Sequence, residues 1–159
     1  MPRRETVGNT KAGTQVPDPI APPVASQPAE TVELVCLAVS DGDLETALAQ
    51  YEAGAPLRPW AHHADGAADQ IAETLLGLID LRLPLSVRIC AIVVADGVAL
   101  VLGERLIAGT GPDREWIQLW GSGATVVRCQ RDGSWRIAAD AWNLGGPPPV
   151  TQGAEPHRI

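Results

Sequence analysis

Asp132-Gly133-Ser134-Trp135-Arg136-Ile137-Ala138-Ala139-Asp140-Ala141-Trp142 decides the fold of this chain. Asp-Gly supplies a tight hairpin turn because both positions tolerate positive φ, and the alternation that follows marks a β-strand. Strand side chains two apart share a face. The spacing therefore sets Arg136, Ala138, Asp140 and Trp142 on one side and Trp135, Ile137, Ala139 and Ala141 on the other. A carboxylate beside an indole on a mostly apolar strand has two readings: Asp140 sits in water at a fraying strand end, or it lines a pocket as a group for proton transfer.

Upstream, the period-two pattern repeats. Leu85 to Ala95 and Val98 to Ala108 read as strands joined by an Asp96-Gly97 turn. Glu115 to Trp120 and Ala124 to Gln130 read as two more, separated by Gly121-Ser122-Gly123. Before them the period is helical. A helix runs from Glu33 to Ser40, and Asp41-Gly42-Asp43 breaks it and caps the next. In that second helix Leu44, Ala47, Leu48 and Tyr51 recur at helical spacing. A third helix spans about 65–80, and Leu57 to Trp60 forms a brief strand before it. Helices followed by a strand meander imply an α+β domain, a curved antiparallel sheet wrapped around three N-terminal helices with a pocket at its centre.

The length fits one domain. Residues 1–30 are rich in proline and small polar residues without periodicity and read as a disordered tail. Residues 31–144 form the domain, and 145–159 are a flexible Pro/Gly-rich tail. A formal charge of −7, with Lys11 as the only lysine, argues against nucleic acid and anionic membranes as partners. No apolar run approaches the roughly 18 residues of a membrane helix. Cys36, Cys90 and Cys129 lie in apolar surroundings without C-x-x-C spacing and read as reduced core residues of a cytoplasmic protein.

The helix, Ser40-Asp41-Gly42-Asp43-Leu44 break, helix ending at Tyr51, third helix and closing Val126-Val127-Arg128 and Asp132-Gly133-Ser134-Trp135-Arg136-Ile137 segments resemble the nuclear-transport-factor-2-like superfamily. More narrowly they resemble its SnoaL-like and ketosteroid-isomerase-like branch, over residues 31–143. The resemblance implies a cone-shaped barrel that binds apolar small molecules without a cofactor, in a homodimer built on the outer sheet face. Where ketosteroid isomerases carry their general base, this chain reads Leu57-Arg58-Pro59-Trp60, and their oxyanion-hole Tyr and Asp fall on Val35 and Thr125. A steroid-isomerase mechanism is disfavoured. Limonene-epoxide-hydrolase-like enzymes keep an Asp-Arg-Asp triad in the same fold. Glu104-Arg105-Leu106-Ile107 resembles their arginine motif, and Asp140, seven residues after Gly133, matches their second Asp. Ile107 stands where the other acid belongs.

Strand geometry agrees. Ala99, Val101, Gly103, Arg105 and Ile107 share a strand face, so Arg105 can meet Asp140 across a pocket. Trp142, Trp120, Trp60, Thr125, Ala138, Val101 and His62 are the candidate lining, and Tyr51 is expected to pack in the core. His62-His63 has no third ligand at fixed spacing and reads as no metal site. Two functions follow. The leading one is acid-base catalysis on an apolar polycyclic or polyketide-like molecule, as cyclisation, isomerisation or epoxide opening in secondary metabolism, with Asp140 moving the proton and Arg105 orienting it or stabilising developing negative charge. The other is a non-catalytic binding or dimerisation module.

Overall fold

The computed structural model describes residues 20–60 and 71–145. Three helices precede four long antiparallel strands: α1 (Pro28–Asp41), α2 (Leu44–Ala49) and α3 (Ile71–Asp80), then β2 (Leu85–Ala95), β3 (Val98–Thr110), β4 (Trp116–Cys129) and β5 (Trp135–Leu144), with the short β1 (Leu57–Trp60) between α2 and α3. The fold is α+β, an open five-stranded sheet in the order β1-β5-β4-β3-β2 curved over the helices. β1 joins β5 in parallel, the one departure from an antiparallel sheet. Among the described residues no helix is long and apolar enough to cross a membrane.

Local chemistry explains the helix junction. Gly42 takes the left-handed conformation (φ 76°) that closes α1, and the Asp43 carboxylate accepts from the Thr46 N–H at 3.0 Å to open α2. Val32, Val35 and Val39 of α1 and Leu75 and Leu78 of α3 pack with Val101, Ile107, Val127 and Ile137 of the sheet to form the core. Burial of these apolar side chains holds helices and sheet together.

Three sequence expectations change. Order reaches further toward the N-terminus than residue 31: α1 starts at Pro28, and buried Ala25 bridges to Trp135. Composition hides this because backbone pairing of Ala25 needs no side-chain signal. β4 is one strand, not two. A Cβ at Gly121 or Gly123 would overlap the β5 backbone carbonyls of Trp142 and Ala141, so these glycines let the strands approach closely rather than end a strand. Cys90 is exposed, not core, because it is the extra residue of a bulge where the β2–β3 register shifts.

A second bulge matters more. Val126 pairs with Ala139 but Val127 with Ile137, so Ala138 is the extra residue on β5. The bulge flips the parity, and Ile137, Asp140, Trp142 and Leu144 become the buried set.

Candidate functional site

Asp140 stands opposite Thr125 of β4 and Leu57 of β1, on the concave face under α1. Only 4% of the residue is exposed, and its carboxylate is enclosed by four donors. Thr125 Oγ1 donates to Oδ1 at 2.6 Å and Arg105 Nη2 donates to the same oxygen at 3.3 Å. The Tyr51 hydroxyl donates to Oδ2 at 3.0 Å and the Trp142 indole Nε1 donates there at 2.5 Å. Four chain segments converge on one anion: the end of α2, β3, β4 and β5. Charge-assisted bonds of this kind are about twice as strong as neutral ones.

Arg105 is 2% exposed. It also donates to Thr125 Oγ1 at 2.9 Å, and its guanidinium carbon lies 4.7 Å from the centre of the Trp142 ring, a cation–π contact. Its path is cleared by Gly123, which pairs with Gly103 across β3 and β4. A Cβ at Gly123 would come within 2.8 Å of Nη1. Gly123 thus makes the trough in which the side chain lies. Arg105 Nε is buried without an acceptor among the described residues.

Burial and the nearby Asp140 charge hold the Tyr51 phenol well above its ordinary value, so it is a protonated donor across the physiological range. Cys36 of α1 sits close enough to feel both Arg105 and Asp140. Its burial dominates and pushes the thiol up to about 12, which makes it an inert packing residue rather than a nucleophile.

The structure brings together Asp140, Arg105, Thr125 and Trp142, and places Val101 in the same buried face. Trp60 ends β1, half-buried against the core. Two expected residues fall elsewhere. Trp120 pairs with Leu106 on the convex face, because it is an odd number of residues from Thr125 on an unbroken strand. Ala138 is the bulge residue, off the face that carries Asp140. His62 lies outside the described residues, as does His63. Tyr51 is the residue that sequence reasoning left in the core. It does pack there, but its hydroxyl was the available signal, since a buried phenol needs a partner. Among the described residues no group of three His, Cys, Asp or Glu is placed to hold a metal ion.

No protein-family profile matches the chain, and no curated protein is detectably similar in sequence. Solved structures are similar in three dimensions. A ketosteroid isomerase-like protein from Erwinia carotovora atroseptica shares 15% identity at a TM-score of 0.63, over 75% of this chain and 94% of that one. A conserved protein from Planctomyces limnophilus reaches 0.65 at 15% identity, over 74% and 92%. A nuclear transport factor 2 superfamily protein from Salmonella enterica reaches 0.60 at 14% identity, over 79% and 93%. The chain has the nuclear-transport-factor-2-like fold.

Proposed function

We propose that this chain is a non-catalytic binding and dimerisation module of its fold, with the Asp140 cluster as the buried pin that sets the curvature of the sheet. The observation that carries this reading is the filling of Asp140. Both carboxylate oxygens already accept two protein donors each. A carboxylate so engaged has little lone-pair capacity left for a substrate proton. The apolar small molecule that such a module would hold is placed on the concave side, with Trp60, Val101 and Trp142 as the candidate contacts.

The second copy fits the convex face. Val93, Leu100 and Val126 form one row across β2, β3 and β4, and Ala91, Leu102 and Ala124 form the next. Val93 is 61% exposed, and Val98, Leu100 and Leu102 are exposed beside it. A contiguous apolar patch of this kind on a soluble surface marks an interface. A cytoplasmic setting agrees with three free cysteines.

Asp140→Asn separates the module from an enzyme. As a pin, the change sets an amide N–H₂ against the donors of Trp142, Tyr51 and Arg105 and lowers unfolding free energy by several kcal/mol. Unchanged stability would sink the pin and favour a residue kept for chemistry. For the dimer, sedimentation of the whole chain should give a dimer that Leu100→Lys converts to monomer, and a monomeric wild type would overturn it.

One observation favours the catalytic reading as the alternative. Arg105 Nε is a buried N–H without an acceptor, and incompletely satisfied buried groups concentrate at functional sites. Acid-base chemistry on a polycyclic or polyketide-like molecule would then run through Tyr51, whose oxygen takes a substrate proton while its own proton moves to Asp140. Turnover that survives Tyr51→Phe would exclude that route.

A further inference from the structure

The convex face is divided. On one side of the Gly103–Gly123 pair its rows are apolar, as described above. On the other side they are polar and aromatic: Arg88, Glu104 and Ser122 form one row, and Ser86, Leu106 and Trp120 the next. Arg88, Glu104, Ser86, Leu106 and Trp120 line a surface depression. Of its lining, Arg105 alone also belongs to the interior cluster.

The chemistry of this depression restricts its ligand. Arg88 donates to Glu104 Oε2 through Nε at 3.2 Å and through Nη2 as well, so guanidinium and carboxylate are already mutually neutralised. An anion drawn to Arg88 meets the Glu104 charge, and a cation drawn to Glu104 meets Arg88. Either would have to break the pair. A neutral ligand that donates and accepts from adjacent atoms satisfies both at once: one hydroxyl gives its proton to the carboxylate while its neighbour accepts from the guanidinium. The Trp120 ring beside them offers an apolar flat surface to the other side of the same molecule. Vicinal hydroxyls on one edge and C–H groups on one face describe a pyranose ring. The Ser86 hydroxyl, in the same row as Trp120, donates to the Leu106 carbonyl at 3.3 Å and leaves its oxygen as a further acceptor.

We propose that this depression is a sugar-binding site, with a pyranose stacked on Trp120 and two adjacent hydroxyls bridging Arg88 and Glu104. Trp116 extends it. It is 68% exposed, lies on the same face four residues back along β4, and so stands about 13 Å from Trp120, a second platform for an oligosaccharide. The site adjoins the apolar rows proposed for the second copy and shares no residue with them.

The test follows the indole N–H resonances of the full chain during titration with the methyl pyranosides of glucose, galactose, mannose and N-acetylglucosamine, and with cellotriose. The expected result is saturable movement of the Trp120 signal by at least one of them, with a Kd on the order of millimolar. Trp120→Ala and Glu104→Gln, both on the surface and neither in the core, should each weaken that binding about tenfold. Leu100→Lys, which breaks the proposed dimer, should leave it unchanged. No saturable movement with any of the five sugars overturns the proposal, and so does binding that persists undiminished in Trp120→Ala.

Discussion

The Tyr51 hydroxyl donates to Asp140 Oδ2 at 3.0 Å across 89 positions of sequence, tying the end of α2 to the last strand. It shares that oxygen with the Trp142 indole, and the backbone around it is stitched in parallel: Ile137 N–H donates to the Gln50 carbonyl and Glu52 N–H donates to the Ile137 carbonyl. Side-chain and backbone bonds thus fix the same junction.

Tyr51→Phe keeps the ring and removes only the donor. Asp140 retains three donors, so the fold survives, and the loss of one bond to a charged acceptor costs about 1.5–3 kcal/mol. Urea unfolding of the variant measures it. A midpoint equal to wild type would mean that the hydroxyl contributes nothing to the junction.

Exchanging Arg105 and Asp140 together for methionine and leucine is the manipulation that often stabilises a protein with an isolated buried ion pair. Here it should not. Tyr51, Thr125 and Trp142 all donate to Asp140, and each would be left buried without its acceptor at about 1–3 kcal/mol apiece. The double variant is expected to be less stable than wild type by calorimetry, and to regain part of the loss when Tyr51→Phe is added. A double variant more stable than wild type would reduce the cluster to a dispensable pair.

Gly123→Ala probes the trough under Arg105. The new methyl meets the Ala141 carbonyl, which is backbone and cannot swing aside, as well as Nη1 of Arg105. The expected cost is about 1–3 kcal/mol or more, with a changed environment for the Trp142 ring in near-ultraviolet circular dichroism. Gly133→Ala is a useful contrast. Nothing lies within 4 Å of its Cβ, so its cost should come from its φ of 84° alone.

Alkaline pH should unfold the protein through Cys36 and Tyr51. Both groups hold their protons more tightly folded than unfolded: Cys36 from 9.0 up to about 12, and Tyr51 well above 10.0. Above pH 9 the unfolded chain therefore binds fewer protons than the native one, and stability falls as pH rises, by about 1.4 kcal/mol per pH unit for each group that has ionised only in the unfolded state. Below pH 8 neither contributes a slope. Cys36→Ala should flatten the fall most between about pH 9 and 9.5, where Tyr51 is still mostly protonated in both states. An identical pH dependence in that variant would show that the thiol is not shielded.

The sequence by itself determined the elements, because hydrophobic period is a local property. The three helices, the hairpin turns at Asp96-Gly97 and Asp132-Gly133 and the sharing of one face by Asp140 and Trp142 all follow from spacing within a few residues. It also singled out Arg105 and Asp140, since charged residues inside apolar strands demand partners. What only the tertiary structure decided depends on register between strands. One extra residue at Ala138 reverses the face of Ile137 relative to Asp140, and an unbroken β4 carries Trp120 to the convex side, where Gly121-Ser122-Gly123 looked like a gap. Strand faces alternate with a period of two, so a single bulge inverts every assignment beyond it. The filling of Asp140 by Tyr51 and Thr125 was equally out of reach, because those donors come from segments 89 and 15 residues away, and only packing decides which of them meet.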